Sequence, residues 1–306
     1  MSTEPLESIL NRELSIAHSK EVVNVAIPAL HEVVNYGTNA LMRCATSVQK
    51  PVNEEMAVLA LYRHILEMTD GVEVLLANAC AIPSIPLLRS SFEALLSLEY
   101  ILENDAEYSR RSLSWGVNYF RRRLKSHEAL NPSTEEGKRF AESLRNDQIG
   151  AYLALPPEDQ VQKGIESIRS LLKDPKLEAI ESEFRSEKRK RNRHVEWYSL
   201  FNGPENLRKL AQHLRRPAQY DWLYRHWSST SHALDLGAFM VPSSHGEFFI
   251  GRLRDPEPIP RLAIFAVRFA GDATRITLGK FRHSEDISAW YNSNVKEPLL
   301  KIAPRK

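Results

Sequence analysis

The residues best equipped for chemistry lie in Tyr220-Asp-Trp-Leu-Tyr-Arg-His-Trp-Ser-Ser-Thr-Ser-His232. Read as a helix, this stretch puts Arg225 and His232 two turns apart at nearly one azimuth, with Ser228 and Ser229 between them. A guanidinium clamps a phosphate through two parallel N–H donors, and an imidazole titrates near neutral pH and so can take or give a proton. The pairing predicts an anionic ligand, with Arg225 and His232 as the catalytic residues. Leu223, Trp227, Thr230 and Leu234 face elsewhere and anchor the helix. Tyr220, Trp222, Tyr224 and Trp227 are expected as core aromatics, with Tyr224 also counted among the residues that support the site.

Two other constellations stand beside it. Arg89 and Glu93 are four residues apart on an otherwise apolar helix, the spacing of an ion pair held away from water. Breaking such a buried pair costs about 3–5 kcal/mol. Glu93 either serves that pair alone or orients Arg225 or His232. The run Arg185-Ser-Glu-Lys-Arg-Lys-Arg-Asn-Arg193 sets six cations against Glu187, and Trp197 and Tyr198 follow. Lys188, Arg189, Lys190, Arg191 and Arg193 can grip a nucleic-acid backbone, with Trp197 and Tyr198 stacking on bases, or the run is a solvated helix face. The same two readings hold for Arg110, Arg111 and Arg121 to Arg123.

Absent patterns prune the remaining chemistry. The chain has no Gly-x-Gly-x-x-Gly, no phosphate-binding Walker loop, no Gly-x-Ser-x-Gly elbow and no His-Glu-x-x-His. His64 and Glu67 lie one turn apart with no second cluster, so no metal site and no cofactor are expected.

The elements that must position these residues read as helices. Apolar residues recur at three and four over Glu21 to Ala45, Asn53 to Asn78, Ile85 to Asn104 and Ala106 to Ala129. Ser133 with Glu136 forms a capping box for a short polar helix to about Arg145. Further helices are expected from Pro156-Pro157 to Leu172, Leu177 to Arg193, Glu205 to Leu214, Ala218 to Leu236, Arg261 to Lys280 and Asp286 to Lys296. Strand character appears once, in Glu247-Phe-Phe-Ile-Gly-Arg-Leu253. The expected fold is all-α: one multi-helix domain over 1–306, with a mobile polar and basic insertion at 130–215 and at most one short hairpin near 247–253.

At 306 residues with 42% hydrophobic and 26% charged side chains, the composition excludes a disordered or fibrous chain. A net charge of +2 makes no global demand for nucleic acid. The longest apolar runs, Met56 to Tyr62 and Leu262 to Val267, fall short of the roughly 20 residues that span a bilayer, so no membrane partner is expected. Cys44 and Cys80 are too few for a disulfide framework, and Met1-Ser-Thr-Glu-Pro-Leu-Glu7 lacks a secretory pattern. A cytoplasmic location is expected.

Two resemblances follow from the quoted residues. Arg225-x6-His232, with polar His226 after the arginine, is similar to the Arg-x(4–6)-His motif of HEPN-domain ribonucleases. Comparable spacings recur in this arginine-rich chain, as at Arg12 to His18 and Arg208 to His213, but only Arg225 has both the polar follower and the apolar flanks. The resemblance implies a homodimeric helical bundle that cleaves RNA without a metal, in a bacterial toxin or phage-defence setting. His232 would move protons at ribose and leaving-group oxygens, and Arg225 would stabilise the charged phosphorane.

The second resemblance covers most of the chain. Leu88-Arg-Ser-Ser-Phe-Glu-Ala-Leu-Leu-Ser-Leu-Glu-Tyr100, then Trp197-Tyr198, then Tyr224 to His232 resemble the bacterial DUF5677 family, with an early Arg-x-x-x-Glu helix and a late Ser-x-x-x-His helix. It implies a helical fold and leaves activity open. Two readings therefore remain beside the nuclease: a non-catalytic helical module that binds nucleic acid or a partner protein, and a small-ligand sensor built on Arg89, Glu93 and His232.

Overall fold

The computed structural model of the chain describes residues 10–48, 53–153, 155–191, 195–231, 240–242, 246, 248–250 and 253–303. Among the described residues the fold is all-α, as the periodicity predicts, apart from one antiparallel pair of short strands. It divides into two compact units: Met1–Glu103 together with Leu207–Lys306, and Asn104–Asn206 between them.

In the first unit four helices make the core: α1 (Arg12–Ser47), α2 (Asn53–Ala77), α3 (Ile85–Leu102) and, much later in the chain, α10 (Ile259–Phe281). Helix α1 starts well before Glu21 because Asn11 caps it, its Oδ1 accepting from the Leu14 amide at 2.8 Å. Helix α3 buries Leu88, Phe92, Leu95, Leu96 and Leu98 completely, as its composition demands of a central helix. Helix α10 packs through Ala263, Ala266, Ala270 and Ala273, small residues that admit close neighbours. Gly37 serves the same end in α1, where an added Cβ would lie 2.4 Å from Leu66 Cδ2. The buried Tyr62 hydroxyl donates to the Gly37 carbonyl at 3.0 Å and lies 2.8 Å from Thr274 Oγ1, tying α2 to α1 and α10.

Between α3 and α10 the first unit carries α8 (Leu207–His213), a π-helical stretch Gln219–Tyr224, α9 (Arg225–Ser231), and strands β1 (Met240–Pro242) and β2 (Phe248–Ile250). The strands pair antiparallel, Val241 opposite Phe249. After α10 come α11 (Ser288–Tyr291), a second π-helical stretch Asn292–Lys296, and α12 (Glu297–Leu300).

The second unit holds α4 (Tyr108–Leu130), α5 (Glu135–Asn146), α6 (Glu158–Leu171) and α7 (Pro175–Arg191). It begins at Asn104 rather than near 130, because α4 packs against α5, α6 and α7 and belongs with them. The cap of α5 is Thr134, not Ser133: Thr134 has extended backbone and its Oγ1 accepts from the Gly137 amide at 2.9 Å. Ser133 instead donates to Asn131 Oδ1. Replacing Thr134 with Ala is expected to cost about 1 kcal/mol, read as a lower denaturation midpoint at unchanged slope, whereas Ser133→Ala should cost less. Among the described residues no helix is long and apolar enough to cross a membrane.

Candidate functional site

Helix α9 and the π-helical stretch before it are held in the first unit by one apolar face. Leu223 and Trp227 are buried, and the Trp227 ring meets Phe265 and Phe269 of α10 edge to face. One position on from Leu223, Tyr224 turns toward α3 and packs near Phe92, with ring centroids 6.4 Å apart. Here the structure assembles four of the predicted residues. The Arg89 guanidinium donates to the Tyr224 hydroxyl at 2.7 Å and to Ser228 Oγ at 3.3 Å. It pairs with Glu93 at 3.3 Å and lies 4.4 Å from the Tyr224 ring centroid.

Burial pushes the Tyr224 phenol up; the bond from Arg89 opposes that and Glu93 adds to it, so the phenol stays protonated near neutral pH. Burial works to lower the Arg89 pKa, but Tyr224 and Glu93 outweigh it and the value is raised. The cluster is thus a fixed cation with a neutral phenol and two acceptors around it.

The ion pair differs from the expectation in one respect. Arg89 is 23% exposed but Glu93 is 45% exposed, so water reaches the carboxylate and the penalty of a fully buried pair does not apply. Nor does Glu93 serve Arg225. Among the described residues the carboxylate that pairs with Arg225 is Asp221 of the preceding π-helical stretch, 4.0 Å away, and Asp221 is shared with Arg208 at 3.3 Å. His64, read as no metal ligand, has its Nε2 2.8 Å from Ser90 Oγ.

Arg225 itself points outward, with a side chain 68% exposed. His232 lies outside the described residues, as do the side chains of Ser229 and Thr230. Beside Arg225 stands Trp222, which the sequence reading placed in the core and the structure leaves 69% exposed. The signal was available: Trp222 precedes the buried Leu223 by one residue and Trp227 by five, out of phase with the face they share. His226 is exposed as well. A planar aromatic, a guanidinium and an imidazole therefore share the solvent side of this segment.

In the second unit the basic residues divide. Helix α7 buries Leu177, Ile180, Phe184 and Glu187, leaving Lys188, Arg189 and Lys190 exposed. Lys190 pairs with Glu187 at 2.9 Å, and Arg189 Nε donates to the Arg185 carbonyl at 3.3 Å. Arg193 and the side chain of Arg191 lie outside the described residues. Trp197 and Tyr198 are not a stacking platform: both are buried, edge to face with each other, in a segment packed on α4 and α7. Their neighbours Val195 and Leu200 are also buried, so the whole short run fills the unit's core.

Arg121 grips Glu181 through both oxygens at 2.7 and 2.9 Å and covers the Phe184 ring, a structural role. Arg123 donates to the Tyr119 hydroxyl, and Arg110 pairs with Glu107. Next to the Arg121 pair opens a cavity of about 600 Å³ lined by Arg121, Arg122, Lys125 and Lys188, with Phe184 and Val195 as apolar walls. Its carboxylates are already engaged, Glu181 by Arg121 and Glu128 by Arg169 at 2.8 Å. Lys125 and Lys188 have no carboxylate partner among the described residues. The cavity is cationic.

A family model described as a family of unknown function, DUF5677, matches residues 55–247, well over half of the chain. The chain belongs to the DUF5677 family. The matched segment takes in Arg89, Glu93, Tyr224, Arg225, Ser228 and His232, and ends before α10. No curated protein and no solved structure matches the chain.

Proposed function

We propose that this DUF5677 protein is a HEPN-like, metal-independent endoribonuclease, acting as a homodimer in a bacterial defence setting, with Arg225 and His232 as its catalytic residues. The observation that supports it is the exposed Arg225 with Trp222 beside it, on a segment whose other side is pinned by Trp227 and by the Arg89–Tyr224–Ser228 bonds. Arg225 is free to bind a phosphodiester, and Trp222 offers a face on which an unpaired base stacks.

In this reading the ribose 2′-oxygen attacks phosphorus, the P–O5′ bond breaks, and the products carry a 2′,3′-cyclic phosphate and a 5′-hydroxyl. The His232 imidazole takes the 2′-hydroxyl proton and returns one to the leaving oxygen; Arg225 holds the charge that builds on the phosphorane. The Arg89 cluster positions the helix and touches no reacting atom.

The test is single-stranded RNA incubated with the purified full chain in excess EDTA. Fragments ending in cyclic phosphate are expected, and none with His232→Ala at an unchanged melting temperature. Intact RNA with the wild-type protein, or equal cleavage by His232→Ala, sinks the proposal.

A second reading is favoured by the cationic cavity of the middle unit: binding of nucleic acid without cleavage. It predicts salt-sensitive RNA affinity that weakens when Lys125 and Lys188 are both changed to Gln, with a shallower salt slope, and no fragments.

A further inference from the structure

The first unit carries a double cavity that the nuclease reading does not use. Its walls come almost wholly from α10, α11, α12 and the π-helical stretch Asn292–Lys296, beyond the segment matched by the family. One chamber, about 340 Å³, is lined by Arg268, Asp272, Arg275, Tyr291 and Lys296. The other, about 230 Å³, is lined by Phe265, Val267, Phe269, Leu299 and Leu300. Arg268, Tyr291 and Lys296 wall both, so the chambers adjoin.

The polar chamber holds more positive charge than its carboxylate can balance. Asp272 is 5% exposed and already receives Arg216 at 2.9 Å, Arg268 at 3.1 Å and Arg275 at 3.5 Å. Lys296 has no carboxylate partner among the described residues, and the Tyr291 hydroxyl makes no hydrogen bond among them. Arg268 and Arg275 are 59% and 60% exposed, each leaning on Asp272 through one edge of its fork. Unused donors from three cations and a phenol therefore converge on one opening, and an apolar chamber begins where they end. A cluster of donors with a single saturated acceptor calls for an anion, and the neighbouring aliphatic and aromatic wall calls for a hydrocarbon attached to it.

We propose that this double cavity binds a small amphipathic anion, a medium-length hydrocarbon chain ending in a carboxylate or phosphate, with its head on Arg268, Arg275, Lys296 and Tyr291 and its tail among Phe265, Phe269, Leu299 and Leu300. The asymmetry of the two chambers sets the requirements: charge without a tail fills only the polar end, and a tail without negative charge leaves the cations unpaired. Gly271 keeps the polar chamber's shape, since an added Cβ there would lie 2.5 Å from the Tyr291 ring.

Isothermal titration of the full chain with octanoate, below its micelle concentration, tests this directly. Saturable binding with one octanoate per chain is expected, with a matching rise in melting temperature. Acetate and octylamine, which each lack one half of the ligand, should show neither. Octyl phosphate carries both halves of the ligand and should bind saturably too; no binding of it would overturn the assignment of a general anionic-head site. Lys296→Gln, at an exposed position without a partner, should weaken octanoate about tenfold, the loss of one charge-assisted bond. Leu300→Asp, also exposed, should weaken it at the other end by a similar factor. Octylamine binding as well as octanoate, acetate binding as well as octanoate, or both variants keeping wild-type affinity would each refute the proposal.

Discussion

An Arg216→Ala protein is expected to melt on the order of 10 °C below the wild type, a loss of about 3–5 kcal/mol. Arg216 is 12% exposed and lies between two carboxylates of similar burial. It reaches Glu99 of α3, 15% exposed, through Nε at 2.7 Å and through a second close contact from the other edge of its fork. It also donates to Asp272 of α10 at 2.9 Å and to Gln219 at 2.9 Å. Burial opposes the charge on Arg216, but the two carboxylates outweigh that and hold it firmly protonated. Removing it leaves Glu99, which has no other ion pair among the described residues, largely buried without a counter-charge. Asp272→Asn leaves Arg216 its pair with Glu99 and keeps a neutral acceptor of the same shape, so it should cost less than Arg216→Ala. Arg216→Met separates packing from charge: it keeps most of the volume and should still lose most of the stability. Chemical denaturation of the three variants checks the order, and an Arg216→Met protein as stable as wild type would show that packing, not pairing, holds this junction.

Under the proposed nuclease function, Arg225→Ala should lower kcat/KM for RNA cleavage about 10²–10³-fold, the size of effect seen when one preorganised donor to a developing anion is removed. The melting temperature should not move, because the side chain is 68% exposed and its one ion pair among the described residues, to Asp221, spans 4.0 Å. Arg225→Lys should recover part of the loss, since the charge returns without the bidentate fork. Trp222→Ala should raise KM with little change in kcat, the signature of binding that is equal in ground and transition states. Steady-state cleavage of a short fluorescent RNA distinguishes these outcomes. Unchanged kinetics in Arg225→Ala would remove Arg225 from the chemistry, whatever His232 does.

The Arg89 cluster and the Arg216 network show where local reasoning stops. Arg89 and Glu93 are one turn apart on one helix, so their pairing was legible from spacing. Their bonds to Tyr224 and Ser228 span 135 and 139 residues, and Arg216 meets Glu99 across 117. No periodicity reports such separations, because it records only which side of a helix is apolar and not which helix lies opposite. Trp222 was misplaced by reading residue type before phase. Trp197 and Tyr198 were misplaced because they sit in an irregular segment, with Phe201 in the left-handed region at φ 54°, where no period applies.

The amino-acid order by itself determined that this chain is helical, where most helices run, and that Arg89 pairs with Glu93. These follow from interactions within four residues and from the apolar stripe each helix must bury. Tertiary structure alone decided that α4 belongs to the middle unit, that Arg216 joins Glu99 to Asp272, and that Asp272 and three cations line one cavity. Those outcomes depend on which stripes pack together, and packing is settled by the whole set of helices at once.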